Sequence, residues 1–160
     1  MRYAGIIEDD VVNGQNVCVS FWVQGCPFHC KGCHNSQTWD FNGGDVITTE
    51  TIPHVLRLIS KNGIQRNFSI LGGEPLCQEN TEFVYDLISK VKKTFPKIKI
   101  FLWTGFELEE LRNATNVFVN AILSEVDVLI TGRFVLEQRD ITLPLRGSRN
   151  QKILYRGKDF

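Results

Sequence analysis

The sequence Cys26-Pro27-Phe28-His29-Cys30-Lys31-Gly32-Cys33 places three cysteines in the pattern C-x-x-x-C-x-x-C. Gaps this short let three thiolates converge on one inorganic centre, because a single turn of backbone can wrap around it. Three protein ligands on a 4Fe-4S cluster leave one iron open to another molecule, and open metal sites do chemistry. The alternatives are a zinc site completed by His29 or His34 and a set of free structural thiols. The spacing favours the cluster.

The remaining cysteines do not suggest disulfide bonds. The chain has five in all, and an odd number with three in one motif does not fit a disulfide framework. We expect Cys18 and Cys77 to be buried as small apolar residues. The cysteine motif therefore stands alone as the metal-binding element.

The composition predicts a folded chain of one domain, residues 1–160. It is 42% hydrophobic and 22% charged, which argues for a core and against disorder, but it is shorter than the roughly 250 residues of a closed βα barrel. Its 18 basic and 18 acidic residues give no net charge, so we expect no nucleic-acid partner. No apolar run reaches the ~20 residues of a membrane span, and the start does not look like a signal peptide. We expect a cytoplasmic protein without a membrane partner.

Strands and helices are predicted to alternate along the chain. Short runs of β-branched and aromatic residues indicate strands, and apolar residues at helical spacing indicate helices. The predicted strands are 17–23, 68–71, 98–103, 127–131 and 152–155, and the predicted helices are 48–62, 80–94, 107–111 and 117–123. This alternation favours parallel βαβ units with sites at the carboxyl ends of the strands. Glycine-containing turns follow Val23, Leu71 and Trp103, where such a site would form.

The turn Gly72-Gly73-Glu74-Pro75 is a second candidate site. Glycines without side chains let backbone carbonyls approach an ammonium group, and a nearby carboxylate helps to balance its charge. A Gly-Gly pair alone is more often only a turn. Its position after a later strand, in order behind the cysteine motif, favours a binding role.

The cysteine spacing and this turn together resemble the radical S-adenosylmethionine superfamily. The resemblance implies an α/β fold, a truncated (partial) βα barrel with a mainly parallel sheet and helices outside. It implies a 4Fe-4S cluster held by Cys26, Cys30 and Cys33. The open iron of this cluster binds S-adenosyl-L-methionine, and one electron from the reduced cluster cleaves the cofactor to methionine and a 5′-deoxyadenosyl radical. The residues that it assigns to S-adenosylmethionine are Gly32, Cys33, His34, Gly72, Gly73 and Glu74. No catalytic residue is expected beyond the cluster and the cofactor.

Further short motifs resemble one family in that superfamily, the activating proteins of anaerobic ribonucleoside-triphosphate reductase. Each motif is weak alone, but they occur in order over nearly the whole chain, and the short length also fits this family. The motifs are Asn13-Gly14, Gly25-Cys26, Gly32-Cys33-His34-Asn35, Thr38-Trp39, Trp103-Thr104-Gly105-Phe106, 127–134, Arg146-Gly147-Ser148 and Asn150-Gln151.

This resemblance implies an oxidoreductase that stores a radical on another protein. The 5′-deoxyadenosyl radical would take the α-hydrogen of one glycine in the large subunit of the reductase. The implied partners are that subunit and an electron donor such as flavodoxin or ferredoxin. The alternatives are an activase for a different glycyl radical enzyme and a zinc-binding or electron-transfer module without catalysis. The chain length and the motifs at 146–151 favour the reductase.

Two positions depart from the family pattern. Many members have Tyr where this chain has His34, and many have Asp where it has Thr131. Neither position is a predicted iron ligand, but no carboxylate contact can be carried over to position 131. His34 either contacts the adenine end of the cofactor through its backbone or is a polar residue at the rim.

Several other residues have ordinary structural interpretations. We expect His54 on the surface and Trp22, Trp39 and Trp103 as core residues or cavity walls. Arg146 and Arg149 either bind a carboxylate on the partner protein or belong to a solvated polar loop.

Overall fold

The computed structural model covers residues 1–160 and consists of seven strands and four helices. The strands are β1 (Arg2–Asp10), β2 (Cys18–Val23), β3 (Asp45–Val46), β4 (Asn67–Gly72), β5 (Ile100–Trp103), β6 (Val128–Thr131) and β7 (Lys152–Tyr155). The helices are α1 (Thr51–Ile59), α2 (Gln78–Thr94), α3 (Leu108–Arg112) and α4 (Val117–Glu125). All seven strands form one sheet, in the order β3-β1-β2-β4-β5-β6-β7.

The four central strands are parallel, and both edges of the sheet are antiparallel. Phe21 of β2 pairs with Ile70 of β4, which pairs with Leu102 of β5, and Leu102 pairs with Leu129 of β6. All four side chains are fully buried and point to the same face, because neighbours in register share a face of the sheet. The strands β1, β3 and β7 run antiparallel to their neighbours. The sheet is therefore mixed, with a parallel centre.

The helices cover one face of this sheet. Val55 of α1, Leu87 of α2 and Ile122 of α4 belong to the same core cluster as Ile70. The stripe predicted for α2 is buried, as its helical spacing requires. None of the helices has the length and apolar character needed to cross a membrane.

The opposite face is covered by loops. Phe101, Val128 and Ile130 form a second, smaller cluster there, which contains no helical residue. Nearer the start of the strands, the segment between β1 and β2 lies against the sheet, and a Cβ added at Gly14, whose φ is +145°, would lie 2.5 Å from the Cys18 sulfur. Glycine is required at this position by both the backbone angle and the contact.

The sequence predicts most of this architecture but misses one edge. The alternation of strands and helices from β2 to β6 is confirmed, and β7 has the predicted bounds. The strands β1 and β3 were not predicted. Gly5 and the acidic residues at the end of β1 lower its strand propensity, and β3 has only two residues. Cys18 and Cys77 are buried and His54 is exposed, as predicted.

Replacing Ile70 by alanine tests the packing of the central parallel strands against the helices. We expect Ile70→Ala to lower the free energy of unfolding by about 2–5 kcal/mol, because it leaves a cavity between the sheet and the helices. Urea unfolding followed by circular dichroism measures the change. The control is Ile64→Ala, since Ile64 is 53% exposed and its loss should change stability by no more than about 0.5 kcal/mol. Equal losses in the two variants would contradict the described core.

Candidate active site

The four parallel strands end at one edge of the sheet, and the turns that follow them enclose a cavity of about 470 Å³. Each turn contributes to its lining. The lining residues in these turns include Cys26 after β2, Gly73 and Glu74 after β4, Thr104 and Gly105 after β5, and Gly132 and Arg133 after β6. The volume falls within the ~300–1,000 Å³ usual for small-molecule sites. The edge predicted to hold the site is where the cavity lies.

The three motif cysteines line this cavity together. The amide of Cys33 donates to the carbonyl of Cys30 at 3.0 Å, which closes the second half of the motif into a turn. The amide of Cys26 donates to the carbonyl of Trp39 at 3.1 Å, and the ring of His29 stacks on the Trp39 indole at 4.8 Å. The loop is thus held from both sides with its thiols facing one space.

The thiols of Cys26 and Cys30 hold their protons more strongly here than in water. Burial raises the pKa of Cys26 to about 11 and also raises the pKa of Cys30. Hydrogen bonds from the amides of Phe28 and His29 act in the opposite direction at Cys26. Metal binding requires the thiolate, so bound iron would have to stabilise the charge that burial disfavours.

The donor set fits an iron–sulfur cluster. Thiolates are the ligands that such clusters use, and each binds a different iron, so the three sulfurs surround a volume rather than one point. No group of three or more His, Cys, Asp and Glu side chains is arranged to hold a metal ion, so the fit depends on the type of donor and on the adjoining cavity. The cavity beside Cys26, Cys30 and Cys33 has room for a cluster and for a further ligand next to it.

A buried asparagine joins the cysteine loop to the glycine turn. The Nδ2 of Asn80, in the first turn of α2, lies 3.1 Å from the carbonyl oxygen of Gln24, 3.3 Å from that of Gly25 and 3.0 Å from that of Glu74. We did not predict this residue. Its signal was present, because position 80 continues the apolar stripe of α2 by one turn, and a polar residue on a buried stripe needs partners.

Gln24 forms similar hydrogen bonds at the other end of the cysteine loop. Its side-chain amide donates to the carbonyl oxygens of Gln37 at 3.2 Å and Asp40 at 2.7 Å. The residue is 3% exposed. Both ends of the segment that carries the three cysteines are therefore tied to the end of β2.

Gly73 lies in direct backbone contact with the residue before the first cysteine. A Cβ at position 73 would be 2.3 Å from the carbonyl oxygen of Gly25, and the amide of Glu74 donates to this same oxygen at 2.8 Å. Gly72 has a φ of +105° and also lines the cavity. The pair of glycines lets the two site-forming loops touch.

Glu74 is 1% exposed and connects the turns after β4 and β5. Its carboxylate accepts hydrogen bonds from the hydroxyl of Thr104 at 2.7 Å, the amide of Gly105 at 2.7 Å and the amide of Leu76 at 2.9 Å. Burial raises its pKa to about 7 despite these donors. The sequence analysis places Thr104 in a family motif but does not predict this contact with Glu74.

The remaining predicted residues lie at different depths. His34 is exposed, lines the cavity and meets the ring of Phe134 edge-on at 6.1 Å. Gly32 is exposed and is not part of the lining; a Cβ there would lie 2.8 Å from Leu136. The three tryptophans, Trp22, Trp39 and Trp103, are cavity walls, as predicted.

Comparison with known proteins agrees with this geometry. The family model for a 4Fe-4S single cluster domain matches residues 12–154, which include all three cysteines of the motif. Relatives named anaerobic ribonucleoside-triphosphate reductase-activating protein occur in Vibrio cholerae serotype O1 (37% identical over 154 residues, 96% of this chain and 97% of the relative) and in Haemophilus influenzae (35% over 159 residues, 99% of each). Another from Enterobacteria phage T4 is 36% identical over 154 residues, 96% of this chain and 93% of the relative. The chain belongs to the anaerobic ribonucleoside-triphosphate reductase-activating proteins.

Within this activating-protein family, the two departures noted in the sequence lie in different surroundings. His34 is exposed and lines the cavity, so a change of side chain there does not disturb buried packing. Thr131 is fully buried at the end of β6, where it pairs with Lys152, and its hydroxyl has no hydrogen-bond partner. It is not among the residues that line the cavity.

The contact between Gly73 and Gly25 predicts a large effect of one added methyl group. We expect Gly73→Ala to lower the free energy of unfolding by about 1–3 kcal/mol, since the new Cβ must push apart two backbone segments. The displaced segment carries Cys26, so iron bound after anaerobic reconstitution should also fall. Both are measured beside Gly5→Ala, where no atom lies within 4 Å of the added Cβ. Equal stability and iron content in the two variants would show that the contact is unimportant.

Proposed function

We propose that this chain activates anaerobic ribonucleoside-triphosphate reductase by generating a glycyl radical on it. The observation that carries the proposal is that the three motif cysteines and the turn Gly72-Gly73 line one cavity at the carboxyl edge of the parallel strands. The names of the relatives and the match to a 4Fe-4S single cluster domain support the same activity.

Within this proposal, Cys26, Cys30 and Cys33 hold a 4Fe-4S cluster with one open iron. Their neighbours keep the loop in place: Gln24 and Trp39 fix its ends, and the turn from Cys30 to Cys33 sets the spacing of the last two ligands. Three thiolates and a roomy cavity suit a cluster that must accept a further ligand.

S-adenosylmethionine is the proposed ligand of the open iron. The backbone of Gly72 and Gly73 would receive its ammonium group, and Glu74 lies at the same end of the cavity. A cation beside Glu74 stabilises its charged form against the burial that raises its pKa. Gly32, Cys33 and His34 are proposed to contact the adenine end, where His34 already faces the cavity.

When bound at a reduced cluster, S-adenosylmethionine is cleaved to methionine and a 5′-deoxyadenosyl radical, which takes hydrogen from a glycine. The chain itself binds and orients these groups and excludes water. Trp22, Trp39 and Trp103 supply broad apolar walls for this purpose. We propose flavodoxin or ferredoxin as the electron donor.

The architecture gives a protein substrate a route to the site. Helices cover one face of the sheet, and only loops cover the face that the cavity adjoins. We propose that the sheet is a shortened βα barrel in which the missing units leave a wide opening. The large subunit of the reductase would insert its glycine-bearing segment there.

One mixing experiment tests the activity. After anaerobic reconstitution we expect about four irons and four sulfides per chain, reductive cleavage of S-adenosylmethionine, and a glycyl radical signal in electron paramagnetic resonance when the reductase is added. Stoichiometric zinc without cleavage would favour a zinc-binding module. Cleavage with no radical on the reductase would favour an activase for a different glycyl radical enzyme.

Cys30→Ala tests the ligand assignment. We expect this variant to lose the cluster and all cleavage of S-adenosylmethionine, because two thiolates cannot replace three. Iron content and visible absorbance measure the loss. Cys18→Ala is the control, since Cys18 is fully buried away from the cavity and should keep its cluster. An unaltered iron content in Cys30→Ala would refute the assignment.

A further inference from the structure

Residues 139–148 form a wall of the cavity to which the proposed cofactor chemistry assigns no role. Its lining side chains are Asp140, Ile141, Leu143, Leu145 and Arg146. The wall has a fixed shape. Trp103 Nε1 donates to the carbonyl of Leu145 at 2.8 Å, and Gln151 Oε1 accepts from the amides of Gly147 at 2.9 Å and Ser148 at 3.2 Å. These hydrogen bonds fix the backbone of the loop, which a loop in contact with solvent alone does not require.

Arg146 is a positively charged residue of this wall that forms no ion pair. Its Nη1 donates to the carbonyl of Gln151 at 3.0 Å, while its Nε is buried without a hydrogen-bond partner. None of the ion pairs in the structure includes it. A half-buried guanidinium with free donors is a binding group for a carboxylate, which its planar fork matches in shape and charge.

The cavity supplies no carboxylate of its own for this purpose. Glu74 accepts from three donors in its own and the neighbouring turn. Asp140 accepts from the amide and hydroxyl of Thr142 and lies 4.0 Å from Arg149. A carboxylate that pairs with Arg146 would therefore come from a bound molecule.

The same wall carries an exposed apolar side chain at the mouth. Ile141 is 81% exposed, and Val12, which lines the same cavity from the loop between β1 and β2, is 74% exposed. A single exposed apolar residue is ordinary. Two such residues from separate loops, both lining one cavity, mark a surface that another molecule covers.

The positions of Arg146 and Ile141 indicate which kind of molecule binds against this wall. The wall runs from the half-buried Arg146 out to the nearly fully exposed Ile141. A small molecule enclosed among the cysteines and the glycine turn would leave Ile141 in water. An extended protein segment that enters the cavity from outside covers both ends of the wall.

We infer that this wall selects the protein substrate: Arg146 binds a carboxylate of the entering segment, and Ile141 packs against an apolar side chain of it. The inference rests on the proposed activation of the reductase and names the surface that recognises it. With no net charge on the chain, partner selection depends on such local contacts rather than on a bulk field.

The test measures the affinity of the reconstituted, S-adenosylmethionine-bound protein for the reductase, by fluorescence anisotropy of labelled reductase. We expect Arg146→Gln to raise the Kd about tenfold or more, with partial recovery in Arg146→Lys, and Ile141→Ser to raise it about threefold to tenfold. The KM for the reductase in glycyl radical formation should rise in parallel, and the effect of Arg146→Gln should shrink at high salt.

Two matched variants serve as controls. Arg57→Gln removes a 63% exposed guanidinium on α1, outside the cavity lining, and Val117→Ser removes a 71% exposed apolar side chain on α4. Both should bind the reductase like the wild type. If Arg146→Gln and Ile141→Ser also do so, the inference is wrong while the proposed function stands.

A loss of S-adenosylmethionine affinity in Arg146→Gln as large as the loss of reductase affinity would assign this arginine to the cofactor, which also overturns the inference. If the wild-type protein cleaves S-adenosylmethionine but neither binds the reductase nor forms a radical on it, the proposed function itself fails. The wild-type radical signal thus separates the two failures.

Discussion

The buried amide of Asn80 is the contact on which the geometry of the site depends. It binds three carbonyl oxygens in the two loops that follow β2 and β4. Cys26 follows directly after Gly25 in one of these loops, and Gly73 lies in the other, so this side chain and the backbone hydrogen bond from Glu74 to Gly25 together fix the distance between the proposed cluster and the proposed cofactor turn. The approach leaves no room for a Cβ at Gly73. A polar group buried this deeply stabilises the fold only while all its partners are in place.

The cavity holds several groups whose charge the free protein stabilises poorly. Burial raises the pKa of the Cys26 thiol to about 11 and that of Glu74 to about 7, and Arg146 has no counter-ion. Each matches a different proposed ligand: iron for the thiolate, an ammonium for the carboxylate and a carboxylate for the guanidinium. Each ligand would stabilise a charged form that burial disfavours, so binding is coupled to loss of the proton from Cys26 and from Glu74.

The sequence predicts the parts of this structure that repeat or follow a local rule. The strands β2, β4, β5, β6 and β7 follow from runs of β-branched and aromatic residues, the stripe of α2 follows from helical spacing, and the cysteine loop follows from the spacing of its ligands. The brace by Asn80 and the bonds from Thr104 to Glu74 could not be predicted in the same way, because they join residues far apart in the chain. The sequence could not decide whether Arg146 binds a carboxylate or belongs to a solvated loop. Only the folded loop shows that its Nε is buried without a hydrogen-bond partner.

The antiparallel return of the chain after β6 shapes one wall of the cavity. After β6 the chain adds no further βα unit; it returns as β7, which pairs antiparallel with β6 from Thr131 and Lys152 onward. The connection that makes this reversal is the segment that contains residues 139–148, so the wall of the cavity and the last strand are positioned together. Ile141 lies on this connection and is 81% exposed, so its exposure at the cavity follows from the antiparallel return of the chain.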